Sequence, residues 1–205
     1  MEGTAVPVGH LEVITGSMFS GKTEELIRRT RRALIARRRV LIVKPAIDDR
    51  YAAEAVFSHD GRRVDAVPVP VEEPERIFVA ANECGAEVVS IDEAQFFTQG
   101  LVAAVRRLVD SGRRVIVSGL DLDFARRPFG CMPELMAMAD EVTKLKAICV
   151  RCGEPAMFTQ RLIDGRPAAE DDPLVVIGGA EAYEARCRRC HEVAPARRRE
   201  AEEVA

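Results

Sequence analysis

Leu11-Glu12-Val13-Ile14-Thr15-Gly16-Ser17-Met18-Phe19-Ser20-Gly21-Lys22-Thr23 is the stretch on which the fold turns. Its first five residues are short, alternating and rich in β-formers, and a strand is predicted there. The next eight fit G-x-x-x-x-G-K-[ST] at every fixed position. Glycines let the backbone wrap around phosphates, so that its N–H groups and the start of the next helix face negative charge. In that pattern Lys22 reaches the terminal phosphates and the Thr23 hydroxyl can ligate Mg²⁺. After it, Lys22 to Ile35 carries an apolar stripe of Leu26, Ile27, Leu34 and Ile35 at helical spacing. Strand, glycine turn and amphipathic helix together imply a nucleoside triphosphate site, with ATP and Mg²⁺ as its occupants.

Outward from this unit the pattern repeats. Val40 to Val43, Val88 to Ile91 and Val115 to Ser118 are apolar runs of strand length, as strands buried on both faces require. Between the last two, Leu101, Val102, Val105, Leu108 and Val109 give Thr98 to Asp110 a helical period. Alternating strands and helices predict an α/β fold, a RecA-like P-loop core around a mostly parallel sheet. Val142 to Ile148 reads as one last strand, and Pro45 to Arg63, polar and without period, as a long mobile loop.

The strand Val88 to Ile91 delivers Asp92-Glu93 to the carboxyl edge of the sheet, where ligands of open α/β sheets bind. Asp92 is placed to hold Mg²⁺. Glu93 is then the free carboxylate beside the γ-phosphate, suited to take a proton from an attacking hydroxyl. Asp92-Glu93-Ala94-Gln95 also resembles the second motif of helicases, so a nucleic-acid-stimulated ATPase is the rival. A helicase closes its site between two such domains, and the ~60 residues left over are too few for a second.

Cys149-Val150-Arg151-Cys152 and Cys187-Arg188-Arg189-Cys190 form two C-x-x-C pairs separated by thirty-four residues. Four thiolates in two such turns suit structural, tetrahedral Zn²⁺, with Gly153 serving the first knuckle and an excursion between the pairs. His191, next to Cys190, could compete as a ligand, but the second C-x-x-C spacing favours Cys190, whereas Cys84 and Cys131 read as packed thiols. The chain of 205 residues, 47% hydrophobic and 31% charged with a net charge of −3, has enough apolar material for one core. Its acidity argues against a nucleic-acid partner. With neither a signal peptide nor an apolar run of membrane length, a cytoplasmic protein that engages no membrane is expected. Seven arginines between Arg28 and Arg39 read as a solvated face or a subunit interface.

Together these motifs closely resemble the thymidine kinases of the zinc-containing class, shared by bacteria and animal cytosol, from about Leu11 to Val193. The resemblance rests on the phosphate loop, Ile91-Asp92-Glu93-Ala94-Gln95-Phe96-Phe97, Gly119-Leu120-Asp121 to Phe124 with Pro128-Phe129-Gly130, the cysteine pairs, and Val176-Ile177-Gly178-Gly179-Ala180 with Tyr183. It implies transfer of the γ-phosphoryl of ATP to the 5′-hydroxyl of thymidine, with Glu93 as general base. Gly16 to Thr23 and Asp92 to Gln95 would line the ATP site, and Asp48 and Arg50 would touch the nucleotide. Phe124, Leu174, Val175, Val176, Ile177, Gly178 and Tyr183 would contact thymidine, the last six from a lasso between the cysteine pairs. It further implies a homotetramer, feedback-inhibited by dTTP. Asp121-Leu122-Asp123 departs from the pattern of many relatives. The domains expected are residues 1–144 for ATP, 145–193 for the zinc ribbon and lasso, and 194–205 as a charged tail.

Overall fold

The computed structural model describes residues 8–46, 56–57, 63–64, 66–174 and 183–196. Its centre is a six-stranded sheet built from β1 (His10–Thr15), β2 (Val40–Ala46), β5 (Val67–Pro70), β6 (Val88–Ile91), β7 (Arg114–Gly119) and β8 (Glu141–Lys144), in the order β5-β2-β6-β7-β1-β8. Every pairing in it is parallel. Two short strands, β3 (Val56–Phe57) and β4 (Arg63–Val64), pair with each other between β2 and β5.

Parallel strands need helices on both faces, and the alternation of side chains decides which face is which. Ile14, Val88 and Ile116 point to one face and pack on Leu26 and Ala33 of α1 (Lys22–Ile35). Leu11, Val13, Val43, Val89, Ile91 and Val117 point to the other. There they meet α2 (Arg76–Glu83), α3 (Gly100–Asp110) and α4 (Met132–Met138), through side chains such as Ile77, Leu101, Leu108 and Leu135.

The predicted strand Val142 to Ile148 is two strands. Leu145 N–H still donates to Thr15 O at 2.8 Å, but beyond it the chain leaves the sheet and β9 (Ala147–Ile148) pairs with β10 (Pro155–Ala156). The supposed loop from Pro45 begins as strand, since Pro45 and Ala46 continue β2 against Val69 and Pro70. Residues 47–55 and 58–62 of that stretch lie outside the described residues. The tail from residue 197 does too.

The arginine cluster is not simply a solvated face. Arg29 is buried and bound to Glu12 at 2.7 Å, Glu25 at 2.8 Å and Glu141 at 3.1 Å. Its remaining amine donates to the Thr143 hydroxyl at 2.8 Å, which fastens α1 to β1 and the edge strand β8. Past the helix, Arg39 donates to the Gly85 carbonyl at 2.6 Å and Arg38 pairs with Glu87 at 2.6 Å. These two staple the edge of the sheet opposite the phosphate loop.

After β8 comes a small all-β unit. β11 (Phe158–Ile163) lies between β12 (Arg166–Pro167) and β13 (Tyr183–Arg186), joined to β12 by an Asp164-Gly165 turn with both residues at positive φ. That dipeptide is a type I′ hairpin signature. The cysteine knuckles sit at the ends of these strands. Gly153 N–H donates to Cys149 O at 2.9 Å, and Cys190 N–H to Cys187 O at 3.1 Å.

Candidate active site

Three loops leave the carboxyl ends of adjacent strands β1, β7 and β6, and they bring the site together. The loop after β1 is the candidate phosphate cradle. Gly16 has φ +139°, and a Cβ there would fall 2.4 Å from the Leu145 carbonyl oxygen, so the chain requires glycine. Gly21 caps α1 in the left-handed conformation with no side chain bonded to the first helical N–H groups. The helix start therefore keeps free donors for an anion. Lys22 is buried and its Nζ donates to the Ser17 carbonyl at 2.9 Å. Burial lowers its pKa, and the carboxylates of Glu93, Asp92 and Asp121 oppose that shift.

Fit to a triphosphate and Mg²⁺ has an independent sign. Among the described residues, the buried side-chain polar atoms without a hydrogen-bond partner are the hydroxyls of Ser17, Ser20 and Ser118. Buried polar groups are nearly always paired, so orphans mark places where a ligand or water belongs. Two of these lie in the cradle. The third, on β7, sits beside the Asp92 carboxylate without reaching hydrogen-bond geometry.

The loop after β6 carries the acids. Asp92 accepts from the Thr23 hydroxyl at 3.2 Å and from the Glu93 N–H at 3.0 Å. Glu93 adopts φ 50°, ψ 42°, a left-handed conformation that costs a non-glycine residue about 1–3 kcal/mol and recurs at functional sites. Burial raises the pKa of both carboxyls, and for Glu93 the nearby Asp92 raises it further. Ala94 is fully buried and belongs to the core on the α2–α4 face of the sheet.

The loop after β7 forms the far wall. Thr15, at the end of β1, places its hydroxyl 3.0 Å from the Gly119 carbonyl and 3.1 Å from Asp121. Asp121 also pairs with Lys144 at 2.5 Å. Asp123 accepts from Ala125 N–H at 2.8 Å and Arg127 N–H at 2.9 Å, and it pairs with Arg127 at 2.9 Å. Asp121 thus ties this loop to β1 and β8, and Asp123 holds the loop's own turn.

Against these loops lies a cavity of about 250 Å³. Lys22, Glu93 and Asp123 are its charged lining, and Met18, Phe96, Leu120, Phe124, Phe129 and Leu174 supply an apolar wall. Phe96 and Phe129 meet edge to face with centroids 6.0 Å apart. Tyr183 and Thr159 complete it from the small β unit. Thr159 also accepts the Met18 N–H at 3.0 Å, tying the cradle to that unit. Met18 thus lines the cavity, and Phe19, at φ 64°, is exposed. Buried Arg161 lies 5.2 Å over the Phe124 ring and donates to the Pro173 carbonyl, so it braces both the ring and the approach to Leu174.

Phe124, Leu174 and Tyr183 are therefore brought together as expected. Asp48, Arg50, Val175, Val176, Ile177 and Gly178 lie outside the described residues. Sequence reasoning missed Thr159, Arg161 and Ser118, which carry no motif and acquire their place only from strand register.

The four cysteines Cys149, Cys152, Cys187 and Cys190 bring their sulfurs within 4.8 Å of one another, with Cys152 and Cys187 at 3.5 Å. A tetrahedron with Zn–S bonds of ~2.3 Å sets its sulfurs about 3.8 Å apart, so the cluster fits the ion. His191 is not a competing ligand. Its Nδ1 accepts from Arg126 at 2.9 Å and its Nε2 faces the Thr159 carbonyl at 3.2 Å. Burial and the Arg126 charge push its pKa down, consistent with a neutral ring donating from Nε2. Cys131 is buried as expected, and burial pushes its thiol up to about 11, but Cys84 is exposed.

The sequence matches the family described as thymidine kinase over residues 9–191. A thymidine kinase of Coprothermobacter proteolyticus is 60% identical over 185 residues, 90% of this chain and 91% of the relative. The chain belongs to the thymidine kinase family. It is accordingly a deoxynucleoside kinase, and a thymidine kinase of this family uses ATP with Mg²⁺. No helix among the described residues is long and apolar enough to cross a membrane.

Proposed function

We propose that this thymidine kinase transfers the γ-phosphoryl group of ATP to the 5′-hydroxyl of thymidine with Glu93 as general base, giving dTMP and ADP for DNA precursor synthesis. The observation that carries the reading is the position of Glu93. It borders the phosphate cradle through Lys22 and the mostly apolar cavity through Phe96 and Phe124. A nucleoside with its base among the aromatic rings would present a hydroxyl to that carboxylate.

Gly16 to Thr23 bind and orient the triphosphate, and Lys22 leaves the Ser17 carbonyl to neutralise its charge. Thr23 and Asp92 would hold Mg²⁺, which when bound offsets charge on the transferred group. Glu93 orients the hydroxyl and takes its proton, and its raised pKa makes it a stronger base than a solvated carboxylate. Apolar walls exclude water and so suppress ATP hydrolysis. We assign Phe124, Leu174 and Tyr183 to the nucleoside, together with Val175 to Gly178, whose main chain would read the base. Asp48 and Arg50 would touch the nucleotide from outside the described residues.

Structural Zn²⁺ on the four cysteines would hold the small unit in the shape that carries Thr159 and Tyr183. The division is taken as residues 1–144 for ATP, 145–193 for zinc and nucleoside, and 194–205 as a tail. A cytoplasmic homotetramer inhibited by dTTP completes the proposal.

The test is an assay of ATP with thymidine, deoxyuridine or deoxycytidine, or with single-stranded DNA alone, scored for nucleoside monophosphate and ADP. Thymidine should yield dTMP with matching ADP. ADP release stimulated by DNA, with no monophosphate, would replace this reading with the ATPase one.

A further inference from the structure

Gln95 is almost completely buried, at 3% exposure, yet both ends of its amide are engaged by groups of the site. Its Oε1 accepts the backbone N–H of Leu120 at 3.0 Å, and its Nε2 donates to Glu93 Oε2 at 2.5 Å. The assignment of the two ends is forced. A backbone N–H can only donate, so the amide oxygen must face Leu120, and the NH₂ group is left for the carboxylate. Space for this arrangement is reserved by Gly119, where a Cβ would stand 2.8 Å from Gln95 Oε1 and 2.6 Å from Met132 Sδ.

From this geometry we infer that Gln95 is the positioning residue of the general base, acting through Glu93 and not as a contact of ATP. The amide can neither take a proton from the substrate nor change charge. It locks the Glu93 carboxylate by one oxygen and leaves Oε1 to the cavity, and it anchors that orientation to the main chain of the loop after β7. Leu120 lines the same cavity, so the base and the wall that holds the nucleoside share one hydrogen-bonded frame. A carboxylate on a left-handed residue, with three rotatable side-chain bonds, has no other side-chain hydrogen bond holding it among the described residues. Misplacing a reacting group by about 1 Å costs ~10²-fold in rate, which sets the expected scale.

This inference rests on Glu93 being the base, and the experiment separates the two. Gln95→Leu and Gln95→Met each remove both bonds at similar size, and neither can donate to the Glu93 carboxylate. Steady-state kinetics on each variant, alone and combined with Glu93→Gln, give the answer. Each single Gln95 variant should lower kcat about 10–100-fold with KM for ATP within about twofold. In the Glu93→Gln background neither should cause a further loss, because the group it positions is gone. Wild-type kcat in Gln95→Leu overturns the inference while leaving the base intact. So does a full, multiplicative loss in the double variant. If Gln95→Met fails to fold, Gln95→Leu decides alone. Wild-type turnover in Glu93→Gln removes the base assignment itself, and the positioning role with it.

Discussion

The Thr23 hydroxyl donates to the Asp92 carboxylate at 3.2 Å, joining the first turn of the helix after the phosphate loop to the end of a strand two positions away in the sheet. The two oxygens lie together, and the orphaned Ser118 hydroxyl stands beside them. Replacing Asp92 with Asn should raise the Mg²⁺ concentration for half-maximal activity about 10–100-fold. A Mg²⁺ titration of initial rates measures it, and an unchanged midpoint would take Asp92 out of metal binding.

Glu93→Gln should lower kcat by about 10²–10⁴ while ATP still binds. The same substitution should stabilise the ligand-free protein. Burial and then Asp92 raise the Glu93 pKa, so its stabilising contribution is complete below its ordinary range and lost as pH rises through the folded value. Above its ordinary range the carboxyl is thus a burden to the fold. Removing that burden should raise Tm. Calorimetry of the apo proteins checks this, and a lower Tm for the glutamine variant would contradict the sign.

Arg29→Leu should destabilise the protein by about 3–5 kcal/mol, because Glu12 would stay buried with a partner removed. Its pH dependence should change as well. Arg28 and Arg29 hold the Glu25 carboxyl down to about 2. Burial pushes Glu12 up, but Arg114 and Arg29 outweigh it and keep Glu12 below its usual value. Depressed carboxylates stabilise above their unfolded pKa and lose that contribution as pH falls. Wild-type Tm should therefore drop between about pH 4.5 and 2, and Arg29→Leu should drop less steeply over the same window. Parallel curves would show that Arg29 does not set these pKa values.

The cysteine cluster predicts about one zinc per chain, recoverable from protein purified without added metal. Cys187→Ser should lower the stability of the small β unit and raise KM for thymidine before that for ATP, since Thr159 and Tyr183 belong to this unit. Elemental analysis with paired KM measurements is the check. A fully active, metal-free preparation would leave the cluster without a role.

Local pattern was enough to find the phosphate loop, the Asp92-Glu93 strand end, both cysteine pairs and the parallel α/β core. Each depends on residue type at short spacing, and the chemistry tolerates few substitutes there. Weak periodicity hid α2 and α4, of eight and seven residues, and the edge strand Val67–Pro70, where two prolines interrupt the usual strand composition. Tertiary structure alone decided that Arg29, one arginine among seven, is a buried tie between Glu12 and Glu141. It alone excluded His191 from the cysteine cluster by occupying both ring nitrogens, and it set Gln95 between Leu120 and Glu93. Periodicity reports which face of an element is buried. Strand order and register determine what that face meets, and those are properties of the assembled sheet.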